Sequence, residues 1–264
     1  MDAFASEKIP QILNSVQQAW RQTTESYSPQ TIEFVGTLIV QLLFFWVISF
    51  IYLSLDAWAP SFSHRHKIQP IPRQPSKREI WQCARVVARN QIMSATFHLA
   101  QIYISSRTRG VPSSYRVEPS FPSLPEIAVD LVGCFLMREI MFYYVHRIFH
   151  NPKFYGPIHK QHHRFTAPMA LAAQYAHPFE HVVANALPIS LPPQLLGSHI
   201  ITFWIFLAYE LFETATVHSG YDFFYNLAKT HDVHHEKFNL NYGTIGLLDW
   251  FHGTDKLKAK KRVD

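Results

Sequence analysis

Residues 159–168 read HKQHHRFTAP, which places three imidazoles within five positions. Two similar groups lie elsewhere: HRIFH (His146, His150) and HDVHH (His231, His234, His235). A further pair occurs in HPFEH (His177, His181), and His218 stands alone in HSGYD. The chain has 16 histidines, most of them between His146 and His252. On a helix, positions i, i+3 and i+4 share a face. HRIFH therefore points both rings the same way. HKQHH and HDVHH each align their first and last ring, with the middle ring close by. Neutral imidazole is the commonest metal ligand and suits iron, zinc and copper. One ion takes about four to six ligands. Eight histidines in three tight groups exceed one ion and match two. Glu180 and Asp222 lie near these groups, and carboxylate ligation by either stays open. His64, His66, His98, His199 and His252 read as ordinary surface or core residues.

Other chemistries find little support. There is no GxSxG nucleophile elbow, Walker A, GxGxxG or HExxH, and no evident carboxylate pair for glycosidase work. The two cysteines, Cys83 and Cys134, make no disulfide framework and too few ligands for a thiolate metal site, which fits a reducing compartment. A formal net charge of +5 comes without any nucleic-acid recognition signature, so no nucleic-acid partner is expected.

The elements that must position the histidines look membrane-associated. Of the residues 48% are hydrophobic and only 16% charged, against about 25% charged in soluble domains. Phe34 to Leu55 is an uncharged run of 22 residues, long enough for a ~30 Å hydrocarbon core. A polar, Pro-rich connector follows, then a shorter uncharged run from Gln91 to Ser106. Ile127 to Val145 is apolar but carries Asp130, Arg138 and Glu139, whose cost in lipid predicts that they face inward. Val182 to Tyr209 has no charge, and Pro188, Pro192, Pro193 and Gly197 predict a break into a helical hairpin. The first thirty-odd residues lack the pattern of a cleaved signal. The connector holds Arg65, Lys67, Arg73, Lys77, Arg78, Arg85 and Arg89, which by the positive-inside rule puts it in the cytosol. Every histidine group and the lysine-rich end then share that face.

These boxes carry a resemblance. The chain resembles the membrane-bound fatty acid hydroxylase/sterol desaturase superfamily across residues 127–255, with a looser echo in KIQP at 67–70. HRIFHNPKFYGPIHKQHH, YAHPFEH, HSGYDF and HDVHHEKFNLNYGTIGLLDWFHGTD look like its C4-methylsterol oxidase-like branch and the fatty-acid-hydroxylase-domain proteins beside it. The resemblance implies an all-α fold. About four membrane helices, one hairpin included, would form a stem under a cytosolic, histidine-rich cap with a dimetal site. It implies residues 1–126 as polar segment, membrane helices and basic loop, 127–255 as catalytic domain and 256–264 as basic tail. It implies two irons, held by His146, His150, His159, His162, His163, His231, His234 and His235, with His218 as a further ligand and His177 as a weaker one, in the ligand set or beside it. His181 is less certain again.

The reaction implied is O2-dependent oxidation of an unactivated C–H bond in a sterol, terpenoid or other lipid. Its electrons come from NAD(P)H through cytochrome b5 or a related reductase, at the endoplasmic reticulum membrane. The same boxes serve desaturases and tailoring hydroxylases. A zinc-dependent membrane hydrolase and a non-catalytic metal or lipid binder are the readings from other classes. Arg138, Glu139, Asp222, Asp232, Glu236 and Asp249 are the candidates to fix imidazole tautomers. Gly243 and Gly253, in NYG and GTD, are expected at turns that need positive φ.

Overall fold

Ser28 and Pro29 start the first long apolar helix. The Ser28 side chain accepts the Thr31 N–H, and Pro29 sits at a first-turn position where its missing N–H costs nothing. The computed structural model describes residues 2–69, 73–108, 110–224 and 226–255. The basic tail and its KKRVD ending lie outside them, as does Pro70 of the KIQP stretch. The described residues are mainly helical and form no strand, with two isolated bridges, Lys67 with Tyr221 and Arg116 with His199.

α1 (Asp2–Ser26) leads into α2 (Pro29–Gln41), a π segment (Leu42–Val47) and α3 (Ile48–Trp58), the last three forming one continuous helix of 30 residues. α4 (Pro60–His66) and the connector lead to α5 (Lys77–Thr108), which opens on a reciprocal cap: Ser76 N–H donates to Glu79 and Glu79 N–H to Ser76 Oγ. α6 (Leu124–Phe149) is capped by Ser123. Then come α7 (Pro152–Tyr155), two short 3₁₀ segments (His159–Arg164 and Ala170–Gln174), α8 (Pro178–Glu180), a π segment (His181–Ala186) and α9 (Leu187–Leu195). α10 (Ile200–Val217), α11 (Leu227–Lys237) and α12 (Leu247–His252) complete the chain.

The hairpin expected over 182–209 is present. Its turn is at Gly197, whose φ of +64° reverses the chain between α9 and α10. The prolines do not break it, however. Pro188, Pro192 and Pro193 lie buried inside the α9 arm: Pro188 sits at a first-turn position directly after the π segment, and Pro192 and Pro193 lie within the helix. α10 is the central element. Ile200, Phe203, Phe206, Leu207, Leu211 and Ala215 bury along it, and it packs against α2, α3, α6 and α9. At Gly36 the approach of α2 to α10 is so close that a Cβ would overlap the Trp204 ring.

Among the described residues two helices, Pro29–Trp58 and Ile200–Val217, are long and apolar enough to cross a membrane. Four membrane helices were expected. α5 and α6 have the length, at 32 and 26 residues, but carry charges along it. Of the three charged residues expected to face inward, Arg138 and Glu139 are buried, with Arg138 Nε 2.5 Å from Glu210 Oε2 of α10, while Asp130 is only partly covered.

Candidate metal centre

α6 ends on His146 and His150, the 3₁₀ turn carries His159, His162 and His163, α10 is followed by His218, and α11 carries His231, His234 and His235. These nine rings fall into two groups. His146, His150, His159, His163 and His234 form one, and His162, His218, His231 and His235 the other, with ligand atoms in each within 4.8 Å of one another.

The assignment to groups follows a rule that helix faces alone do not give. Each i, i+4 pair stays together, while the middle histidine of each longer box crosses over. His159 and His163 join the first group and His162 the second; His231 and His235 join the second and His234 the first. The adjacent pairs His162–His163 and His234–His235 therefore each put one ring into each group.

In the first group, His150 Nε2 lies 2.9, 3.2 and 3.3 Å from the Nε2 atoms of His159, His234 and His163. In the second, His231 Nε2 lies 2.8 Å from His218 Nε2 and 3.0 Å from His235 Nε2. The opposite ring nitrogens are committed elsewhere. His146 Nδ1–H donates to the Tyr242 carbonyl, His218 to Thr214 and His234 to Leu240, at 2.8, 2.8 and 2.7 Å. A neutral ring that donates from Nδ1 carries a lone pair on Nε2. Several lone pairs converge in each group, and a shared cation is what such a convergence fits. Ligands about 2.1 Å from one ion stand about 3.0 Å apart at right angles and about 3.4 Å apart in a tetrahedron, which matches the spacings here.

Electrostatics agree with the geometry. Burial, reinforced by neighbouring imidazoles, holds His159, His162, His163, His231 and His235 well below the ordinary range. Burial takes His218 down to about 4. The rings are thus neutral near pH 7, the form that binds metal. Nothing in this donor set is a thiolate, so it suits ions that favour nitrogen ligands.

Glu180 enters the site in a different role from a ligand. Its Oε1 is 2.6 Å from His159 Nδ1, and it is buried. Burial pushes its carboxyl well up, so in the absence of positive charge the pair shares a proton rather than forming an ion pair. A cation on Nε2 would favour the carboxylate and an Nδ1–H donor. Glu180→Gln is expected to weaken metal retention about 10- to 100-fold with the fold intact, measured by chelator competition. Unchanged retention would reduce Glu180 to a packing residue.

The other sequence candidates have other tasks. Glu139 accepts from Thr244 N and Oγ1, Ile245 N and Leu248 N, and Asp249 accepts from Tyr242 N and Gly243 N. Together they fasten residues 242–248, whose Tyr242 carbonyl orients His146. Asp232 takes the Gln69 amide, Asp222 pairs with Lys229, and Glu236 pairs with Lys237 at the surface. His177 lies outside both groups. Its Nδ1 accepts the Phe179 N–H and caps α8, which removes that nitrogen from any metal. His181 is buried behind Glu180, 3.3 Å from the Asn185 amide. Positive φ occurs at Gly253 as expected, but in NYG it belongs to Asn241 (φ 55°) rather than Gly243. Gly243 is required for space: a Cβ there would stand 2.6 Å from Glu139 Oε1.

A cavity of about 640 Å³ opens onto both groups, reaching His146 and His159 of one and His162, His218 and His231 of the other. From there it extends between α5 and α9 toward Gln101 and Gln194.

Comparison with known proteins places these features among relatives. A family model described as "Fatty acid hydroxylase" matches residues 131–254, which hold all nine clustered histidines. The chain is 38% identical over 229 residues to fatty acid hydroxylase domain-containing protein 2 of Macaca fascicularis, covering 85% of this chain and 67% of that protein. It is 30% identical over 255 residues to the C-4 methylsterol oxidase of Schizosaccharomyces pombe, covering 88% and 80%. It is also 32% identical over 215 residues to a very-long-chain aldehyde decarbonylase of Oryza sativa subsp. japonica, covering 76% and 69%. No solved structure gives a significant match.

Proposed function

The chain belongs to the fatty acid hydroxylase family, in its C4-methylsterol oxidase-like branch, and from that premise we propose that it is an O2-dependent membrane oxygenase with a two-iron centre. Its substrate is a sterol, terpenoid or other lipid, oxidised at an unactivated methyl or methylene. The carrying observation is the pair of adjoining histidine groups with converging Nε2 atoms.

His146, His150, His159, His163 and His234 would hold one iron and His162, His218, His231 and His235 the other. The irons supply the reduction of O2 that side chains alone cannot perform. The protein's part is positional. The carbonyls of Tyr242, Leu240 and Thr214 fix three tautomers, and Glu180 holds or yields a proton at His159 Nδ1. The cavity walls of α5, α6, α9 and α10 bring a lipid against the histidines and keep bulk water from it.

Membrane insertion is supported by the outer face of α2–α3. Val35, Leu38, Ile39, Leu42, Leu43 and Phe50 are exposed there, a larger apolar patch than soluble proteins tolerate. The basic connector supports a histidine cap on the cytosolic side, of the endoplasmic reticulum in this reading, where NAD(P)H-derived electrons would arrive through cytochrome b5 or a reductase. Whether hydroxylation, desaturation or repeated oxidation results depends on how the cavity seats the substrate. The aldehyde decarbonylase relative illustrates how far outcomes diverge at similar sequence.

Protein purified from iron-supplemented cells is expected to carry about two irons per chain and to consume O2 when given a reductase and a lipid extract. Folded wild type without bound metal would sink the reading. Zinc in equal amount with no O2 uptake would move it to a metal-dependent hydrolase.

A further inference from the structure

One strip of the cavity wall is polar, although Phe97, Leu187, Ile189 and Phe203 line the same space. Gln91, Ser94, His98 and Gln101 follow one another on α5 at spacings of three, four and three residues, so they form a single stripe, and all four line the cavity. Thr37 and Gln41 of α2 face the same space. This stripe runs down from the level of the histidine cap, where Gln91 Nε2 donates to Gln174 Oε1. His98 lies seven residues further along α5, about 10 Å deeper at 1.5 Å per residue. The α9 arm runs alongside, from Glu180 beside His159 to Gln194, whose Oε1 accepts from Gln101 Nε2.

At that depth two hydrogen-bonding groups are left over. His98 Nε2–H donates to Glu33 Oε1 at 2.9 Å, while Glu33 Oε2 accepts from Ser113 Oγ and Ser114 N. The fully buried Glu33 is thereby satisfied and fixes the ring, leaving Nδ1 of the partly exposed His98 ring with no hydrogen bond among the described residues. One turn earlier, the buried Ser94 Oγ has no partner either. Buried polar atoms in native proteins are ordinarily paired, and an orphan calls for a cause. A tie between α2, α5 and the 113–114 loop explains Nε2 and Glu33. It does not explain an unpaired hydroxyl and an unpaired ring nitrogen one turn apart on the wall of one cavity.

We propose that Ser94 and His98 form a recognition site for a hydroxyl group carried by the substrate at the end remote from the carbon that is oxidised. The hydroxyl bonds both His98 Nδ1 and Ser94 Oγ, as donor to one and acceptor from the other. The substrate class narrows to lipid alcohols whose oxygen lies roughly two helical turns, about 10 Å, below the level of the histidine cap. A hydrocarbon or a lipid with its only polar group beside the reacting carbon would leave both atoms unpaired. Specificity of this kind is strong, because a site built to bond a hydroxyl rejects the analogue lacking it. The inference rests on the oxygenase reading for what happens at the other end of the cavity.

The test is equilibrium binding of tritiated lipid pairs to the full chain in detergent micelles: cholesterol against 5α-cholestane, and 1-octadecanol against octadecane. Wild type is expected to bind the alcohol of at least one pair 10-fold or more tighter than its alkane. Ser94→Ala should cut that preference about 3-fold or more, and His98→Leu should abolish it, with alkane affinity unchanged. Ser94→Ala removes a hydroxyl that bonds nothing in the protein, so it reports even if His98→Leu, which strips Glu33 of a partner, folds poorly. Equal binding of alcohol and alkane in both pairs, absence of binding included, overturns the proposal. So does a preference that survives both variants. Metal content, measured on the same samples, reads the oxygenase proposal separately: wild type without metal but with an intact, Ser94-dependent preference sinks that proposal and leaves this one.

Discussion

His163→Ala is expected to empty the five-histidine group of its ion, and His235→Ala the four-histidine group, each lowering turnover at least about 10³-fold, or about 4 kcal/mol of transition-state stabilisation. The two residues lie on different elements, yet their ring centroids are 4.6 Å apart across the boundary between the groups. Each ring is buried and makes no hydrogen bond through Nδ1, so its Nε2 is its contribution. Because the groups are distinct, iron per chain should fall from about two to about one in either variant before any coupled loss, measured colorimetrically after gel filtration. Either variant retaining both irons and wild-type turnover would refute the assignment. The His177→Ala variant is the matching control. Its Nδ1 caps α8, so iron content should stay at wild type and stability should fall by about 1 kcal/mol.

The second large effect concerns a residue that touches no histidine. Glu139 is fully buried and accepts four hydrogen bonds from residues 244–248, at 2.7 to 3.0 Å. Glu139→Ala leaves three backbone N–H groups without acceptors, each costing about 1–3 kcal/mol, for a total of roughly 3–5 kcal/mol or more. At about 2–4 °C per kcal/mol, the melting temperature should drop by roughly 8–15 °C. The metal should loosen as well, because the fastened segment supplies the Tyr242 carbonyl that orients His146. Gly243→Ala attacks the same node from outside by pressing a methyl against the Glu139 carboxylate, and should reproduce a smaller version of both effects. A melting temperature for Glu139→Ala within 2 °C of wild type would show that this network carries little.

The box spacings made the clustering histidines legible in the sequence, because i, i+4 pairs on a helix must meet. The crossing of His162 and His234 into the opposite group was not legible. It depends on how α11 lies against the 3₁₀ turn, a tertiary fact that no helical wheel contains. The partners of the Nδ1 atoms escaped for a different reason. Three are backbone carbonyls, which every residue has, and no side-chain type announces them. Glu180 was visible as a nearby carboxylate, but only its contact with His159 separates a hydrogen-bond partner from a ligand. His177 shows the converse: a histidine before Pro in a box-like phrase turned out to cap a helix. Gly197 marked the hairpin turn correctly, whereas the prolines before it misled, since they lie inside the α9 arm rather than at the break. The Ser94–His98 stripe could be found by spacing alone, but a polar stripe on a helix has meaning only once a cavity is known to run along it.

The two doublets, His162–His163 and His234–His235, have a consequence for how this protein can vary. Neighbouring Cα atoms are separated by a fixed 3.8 Å, so each doublet is an inextensible link between the two halves of the centre. One residue inserted inside either doublet would mis-set both halves at once, and no adjustment elsewhere could retune them independently. Length changes are affordable only where the chain between boxes is not packed into the core: 165–176 is buried, 151–157 and 222–224 are largely exposed, and there remains 238–246. Of these, the last already spends its freedom holding Glu139. The segments left free to lengthen are therefore 151–157 and 222–224, and a lineage that reshapes this enzyme by insertion has its room there.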